Sequence, residues 1–271
     1  AFLAILAFHS PLPDTVNSFL YGMLKALVPI LFIILMAIYS YNVLLQTKKI
    51  EVLKQQFSSI STDKSVQVLL ITWGFGGLLE GMAGFGTAVA IPAAILISLG
   101  FRPVFSALVS LIANSVPTAF GAVGVPVIVL AQETGLPVIP LSTAVVLQLS
   151  VLMLLVPLVI TFLADPRMKA LPKNLLLSLL VGGVSLATQY LAARYIGAET
   201  PAIVGAIASI IVIVVIGKLT GKGGEKPIPM TYSGGEVFRA WAVYVLIMVL
   251  ILFTSPLFPA VREMLSGVCS S

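Results

Sequence analysis

Four long apolar runs decide what this chain can fold into. They cover residues 26–45, 141–163, 175–193 and 240–258. A helix needs roughly 20 such residues to cross a hydrocarbon core about 30 Å thick, and each run reaches or approaches that length. Within a bilayer the backbone must be satisfied inside the segment or around a closed barrel. The alternation that marks barrel strands does not occur here, so the runs read as spanning helices. Charged residues are 9% of the chain and hydrophobic ones 59%, against about 25% charged in soluble domains. The prediction is an all-α polytopic membrane protein, one transmembrane domain over residues 1–271, in a plasma or inner membrane.

The first eight residues are apolar but too short to span, and they lack the basic n-region of a signal peptide. They read as the end of a helix, and the sequence as part of a longer protein. The lone Cys269 excludes an intrachain disulfide and a cysteine metal cluster. His9, the one histidine, sits beside Ser10 and Pro11 as an interfacial residue.

The net charge of +5 does not point to nucleic acid, because the basic residues are confined to short loops. Loop 47–64 carries Lys48, Lys49, Lys54 and Lys64, and loop 165–173 carries Arg167, Lys169 and Lys173. Loop 218–239 carries Lys218, Lys222, Lys226 and Arg239. The positive-inside rule predicts all three as cytoplasmic, with 47–64 including a surface-lying amphipathic helix and 218–235 a flexible loop. Segments 8–25, 132–140 and 194–201 are poor in positive charge and read as the external loops. Residues 175–193 and 202–217 then cross out and back.

Residues 74–87, GFGGLLEGMAGFGT, hold six glycines and one carboxylate, Glu80. Glycine weakens a helix by roughly 1 kcal/mol relative to alanine, and an acid at mid-membrane costs about 2.5–3.5 kcal/mol on insertion scales. A segment that breaks both rules is a site candidate. It divides 66–101 into arms of about 18–21 Å at 1.5 Å per residue, each too short to cross alone. The expectation is a re-entrant helical hairpin over about 66–100, returning Arg102 to the cytoplasmic side. Charge parity leaves one crossing for 104–131. There Asn114-Ser115-Val116-Pro117-Thr118 and the glycines around Pro126 predict a discontinuous helix. Irregular backbone at that depth must be buried in protein or line a polar cavity, so the hairpin tip and this break should meet.

Glu80 reads either as a protonated, hydrogen-bonded structural carboxyl, or as a functional one that couples protons or hydrogen-bonds near the substrate. Gly77 and Gly81 have the spacing of close helix packing. Gly84, Phe85, Gly86 and Thr87 precede a helix start whose free N–H groups suit an anion. Asn114, Ser115, Thr118 and Gly121 offer hydrogen bonds beside the second break, although a lone Ser or Thr in a membrane helix usually bonds its own backbone. No Lys or Arg lies between Lys64 and Arg102 or between Arg102 and Arg167. An anion would be held by amides and hydroxyls, which favours a small, singly charged one. Neither a metal-ligand cluster nor a hydrolase motif occurs, so an enzyme, a metal site and a cofactor are not expected. The GFG triplets lack the longer run of a potassium filter.

Residues 74–101 and 111–127 (LIANSVPTAFGAVGVPV) closely resemble the L-lactate permease family of bacteria and archaea. The family's motifs read like G-F-G-x-x-x-E-G-x-x-G-F-G-T/A and I-A-N-x-x-P-x-x-F-G-A-x-G-x-P, and the match covers roughly 66–130. The resemblance implies a secondary transporter of lactate- and glycolate-type 2-hydroxymonocarboxylates coupled to protons. It also implies an ion-transporter-like inverted-repeat fold, of which this chain holds mainly the first repeat region. The expected site is then Glu80 for proton coupling, with Gly84, Phe85, Gly86, Thr87, Asn114, Ser115, Thr118 and Gly121 around the substrate. Expected partners are the monocarboxylate, protons and the lipid bilayer, with further copies of the chain an open option. A sodium-coupled carrier of another organic anion, and behind it a channel, are the rival readings.

Overall fold

The computed structural model describes residues 9, 11–27, 31, 35, 39, 42–43, 46–84, 87–220, 231–254, 258, 261 and 264. Among these, every regular element is helical. The apolar run 26–45 falls largely outside them, as does all of 221–230. Segment 8–25, expected as an external loop, instead carries helix α1, Leu12–Ala26, with proline in its first turn. Proline is tolerated there because the first-turn N–H is unpaired in any helix.

Helix α2, Lys49–Ile60, lies within the first basic loop. It buries Val52, Leu53 and Phe57. The Phe57 ring packs 5.0 Å from that of Phe75, and the Trp241 indole meets both edge-on.

Helix α3, Lys64–Met82, is the centre of the fold. The Asp63 carboxylate starts it by accepting from the N–H groups of Ser65 and Val66, at 3.0 and 3.2 Å. A π-helical turn over Leu70–Phe75 widens its middle, and the chain then stays helical through Glu80 to Met82. The first arm thus runs three residues beyond the expected 66–79, and the break falls at the end of the glycine run rather than across it. Tertiary packing offsets the glycine penalty, because Gly74, Gly77 and Gly81 form one face against Ile210, Ala206 and Ala202–Ile203. A Cβ on Gly81 would come within 2.8 Å of Ile203 Cγ1 and 3.1 Å of the Ile203 amide nitrogen. Removing side chains lets the two backbones approach. At 19 residues α3 is also long and apolar enough to cross a membrane alone, which its expected length did not allow.

The break comes at Ala83 and Gly84, whose N–H groups both return to the Leu79 carbonyl. Gly84 has φ +61°, the left-handed helix end that glycine adopts without a Cβ clash. Helix α4, Thr87–Ser98, follows and packs beside α3: a Cβ on Gly76 would meet Ala88 O and Pro92 Cγ, each at 3.3 Å.

Helix α5, Pro103–Asn114, and helix α6, Gly121–Thr134, flank a short 3-10 turn, Pro117–Phe120. The two sides bend by 54°. The expected discontinuity at 104–131 is thus present, and it is longer than the Asn-Ser-Val-Pro motif. Ala122, Val123 and Gly124 all have positive φ, at 45°, 62° and 75°.

Helices α7 (Val138–Ala164), α8 (Leu171–Tyr195) and α9 (Pro201–Thr220) form a consecutive stack. Buried hydroxyls join the first two, Thr161 Oγ1 and Ser178 Oγ lying 2.9 Å apart. α9 runs antiparallel to α3, with Ile203 at Gly81 and Gly217 at Val66. Helix α10, Gly234–Thr254, begins with a capping box. Ser233 N–H donates to Glu236 Oε2 at 2.8 Å, and Glu236 N–H donates to Ser233 Oγ at 3.4 Å.

The three basic loops gather at one end. Lys173 Nζ pairs with Asp63, Gln55 Nε2 donates to Thr231 Oγ1 at 2.7 Å, and Trp241 Nε1 donates to Gln56 Oε1 at 2.7 Å.

Candidate functional site

Glu80 lies on the last turns of α3 with only 3% of its surface exposed. The α3 register that puts Gly77 and Gly81 against α9 turns Glu80 toward the second break. Its carboxyl occupies the space a Cβ on Gly121 would need, so glycine at 121 is what admits the carboxyl. One turn further, Gly84 abuts Ala122: a Cβ on Gly84 would sit 3.0 Å from both Ala122 Cβ and N. The two breaks therefore face each other, and Glu80 stands at their junction.

Asn114, the last residue of α5, lies beside the Glu80 carboxyl. Its Nδ2 donates to Thr118 Oγ1 at 3.0 Å, and the Thr118 hydroxyl donates back to the Asn114 carbonyl. This leaves Asn114 Oδ1, which is buried without a partner, as is Glu80 Oε2. Each of these two buried acceptors is left without a donor, an unpaid cost of desolvation.

The other expected residues divide. Ser115 is exposed, and its hydroxyl donates to the Ile112 carbonyl at 2.7 Å, the self-satisfying arrangement of a lone helical serine. Thr118 is exposed and engaged with Asn114. Phe85 and Gly86 lie outside the described residues, and Thr87 marks the start of α4. Glu80, Gly84, Asn114 and Gly121 are brought together.

Strain is concentrated at the same place. Positive φ is uncommon for alanine and an outlier for a β-branched residue such as valine, and three consecutive left-handed residues cost roughly 1–2 kcal/mol per non-glycine residue. Such backbone persists where surrounding packing enforces it. Here Gly124 is pressed against the Ala198 carbonyl of the α8–α9 connection, and Ala122 is wedged at Gly84. Nothing in the residue types of Ala122 or Val123 announces this conformation.

The family model for L-lactate permease matches residues 1–269. The chain belongs to the L-lactate permease family. It is 38% identical over 269 residues to an L-lactate permease of Streptococcus iniae, covering 99% of this chain and 57% of that protein. It is 34% identical over 284 residues to an L-lactate permease of Bacillus subtilis (strain 168), covering 98% and 50%. A third relative, the glycolate permease GlcA of Escherichia coli (strain K12), is 35% identical over 272 residues, covering 92% and 48%. The chain thus spans about half the length of these curated relatives. No solved structure matches it significantly. Family membership and the long apolar helices make it a multi-pass integral membrane protein of the cell membrane.

Proposed function

We propose that this chain forms part of a proton-coupled importer of small 2-hydroxymonocarboxylates of the lactate and glycolate class. The observation that carries the reading is the junction of two helix breaks around Glu80. There a buried carboxyl oxygen and a buried amide oxygen of Asn114 both lack a donor. A proton on Glu80 would bring a donor to a junction where both oxygens lack one, which makes it a natural place to load and release a proton. Kinship with relatives named for lactate and glycolate permeation favours that substrate class.

In this reading α3 and α4 act as the re-entrant hairpin and α5–α6 as the broken crossing, with the three basic loops on the cytoplasmic side. An inverted second repeat elsewhere in the full-length protein would complete the site. The substrate carboxylate docks at the amides of Gly84, Phe85, Gly86 and Thr87, as at other half-helix sites near the midplane. Asn114, Ser115, Thr118 and Gly121 line the opposite wall, Asn114 or Thr118 meeting the hydroxyl. With no Lys or Arg between Lys64 and Arg102 or between Arg102 and Arg167, a singly charged anion is the best fit.

The test is uptake of labelled lactate by the full-length protein in proteoliposomes under an inward proton gradient. Wild type should accumulate lactate, and Glu80→Gln should uncouple uptake from the gradient. Full gradient-driven uptake by Glu80→Gln removes Glu80 from the coupling role. Uptake that follows sodium and ignores pH would identify the sodium-coupled carrier instead, and conductance without coupling a channel.

A further inference from the structure

A second polar feature lies one turn away from the Glu80 junction. Between α3, α8 and α9 there is a narrow cavity lined by Trp73, Gly77, Pro117, Ser185, Gln189, Ala202 and Ala206. It has room for about one water molecule. Gly77 lies three residues before Glu80, and Pro117 three after Asn114, so the cavity adjoins the junction from the α8 side.

Gln189 is 3% exposed. Its Nε2 donates to Ser185 Oγ at 2.9 Å, while its Oε1 is buried with no partner. The carboxamide is seated deliberately: a Cβ on Gly205 would collide with Gln189 Cγ and lie 2.8 Å from Nε2. Glycine at 205 thus makes space for a polar side chain at membrane depth, where an unsatisfied carbonyl oxygen is unfavourable. The rest of the lining combines the small residues Gly77, Ala202 and Ala206 with Trp73 and Pro117. Gln189, with its unpaired acceptor and the glycine that seats it, lines a void of hydroxyl size.

We propose that this cavity is a binding site for one hydroxyl group, with Gln189 Oε1 as its acceptor and Ser185 holding the carboxamide in place. The hydroxyl comes either from the 2-position of the transported acid, which then meets Gln189 in place of Asn114 or Thr118, or from a water molecule. The first source rests on the transport reading above; the second does not. A whole organic acid is too large for the space. A donor O–H is what the free oxygen lacks.

The experiment compares labelled lactate with its deoxy analogue propionate in proteoliposomes holding the full-length transporter. The variants are Gln189→Met, which keeps the length of the side chain, and Gly77→Ala. A Cβ at 77 makes an ordinary 3.5 Å contact with Ala206 Cβ, so Gly77→Ala should fold while filling the cavity. Both variants should lose lactate uptake by about tenfold, the equivalent of one good hydrogen bond. If the substrate supplies the hydroxyl, propionate uptake is unchanged and discrimination between the acids collapses. If water supplies it, both acids lose equally. Wild-type kinetics for lactate in Gly77→Ala overturn the proposal even where Gln189→Met fails to fold. A high-resolution map of the full-length protein gives an answer independent of transport. An oxygen within about 3 Å of Gln189 Oε1 supports the site, and an empty cavity refutes it. Should the wild type not take up lactate, the transport reading falls and the map alone judges the cavity.

Discussion

Helices α3 and α7 are both long and apolar enough to cross a membrane, yet they meet opposite surroundings. The spanning window of α3 is 94% buried and that of α7 33% buried. α7 contains no glycine and no charged residue, whereas α3 holds four glycines of the GFGGLLEG run and Glu80. The difference shows which solvent each sequence answers to. A helix that faces lipid is tested on hydropathy along its length. One enclosed by protein is tested on shape, so glycine marks close approach and a carboxyl can be accommodated. The least lipid-like helix is the innermost one, and it carries the candidate site.

The comparison breaks most clearly at the glycines. Gly81→Leu would drive a side chain into the backbone of α9 at Ile203, while Gly183 on α8 has nothing within 4 Å of an added Cβ. Overpacking of a close contact costs typically 1–3 kcal/mol or more, and an open surface site stays within about 0.5 kcal/mol. Gly81→Leu should therefore lower the thermal unfolding midpoint of the detergent-solubilised protein sharply or abolish its monodisperse peak. Gly183→Leu should leave both unchanged. Equal behaviour of the two would mean that α3 and α9 are not held at the observed distance.

A smaller step sharpens the comparison by separating shape from chemistry. Gly121→Ala places a methyl group where Glu80 Oε1 lies. The obstructed atom is the end of a flexible side chain, so the carboxyl swings away and the fold survives. Gradient-driven lactate uptake should fall roughly tenfold or more, as expected when a reacting group is displaced by about 1 Å, with little change in unfolding temperature. Retained uptake would show that the position of the carboxyl beside Gly121 is immaterial.

Much of this organisation is legible in the sequence, for identifiable reasons. The apolar runs announce spanning helices because the bilayer imposes a length. Pro117, Pro126 and the adjacent glycines announce the second break because proline removes a donor and collides with the preceding turn. What sequence misjudges is α3. The glycine penalty is a property of an isolated helix, and its offset comes from α9, more than a hundred residues away. The left-handed run at Ala122 and Val123 is invisible for the same reason, since neighbours impose it against residue preference. Helix α1 is hidden in a segment chosen as a loop by its charge alone. Gln189 carries no motif; its only signal is a carboxamide within an apolar run, and its meaning depends on Gly205.

The smallest expected effect lies where α7 leaves the apolar region. There its end depends on charge in water, unlike the shape-held α3. Asp165 follows the helix, and its carboxylate accepts from Arg167 Nε and Nη2, each at 2.7 Å. Its backbone carbonyl accepts from Asn174 Nδ2 at 3.2 Å, joining the start of α8 to the end of α7. The hydrogen bonds from Arg167 hold the carboxyl at about 2, below its ordinary 3.8. A depressed acid stabilises the fold above its unfolded value and loses that contribution as pH falls through the folded one. Asp165→Asn should then be less stable than wild type at neutral pH, with the gap narrowing below about pH 4 and closing near pH 2. Because the Arg167 side chain is 80% exposed, the neutral-pH gap should be well below that of Gly81→Leu. Unfolding midpoints of the two proteins across this range test it. A gap that persists undiminished at pH 2 would mean that the α7–α8 corner rests on the shape of Asp165 and the Asn174 contact, making it a second α3-like joint.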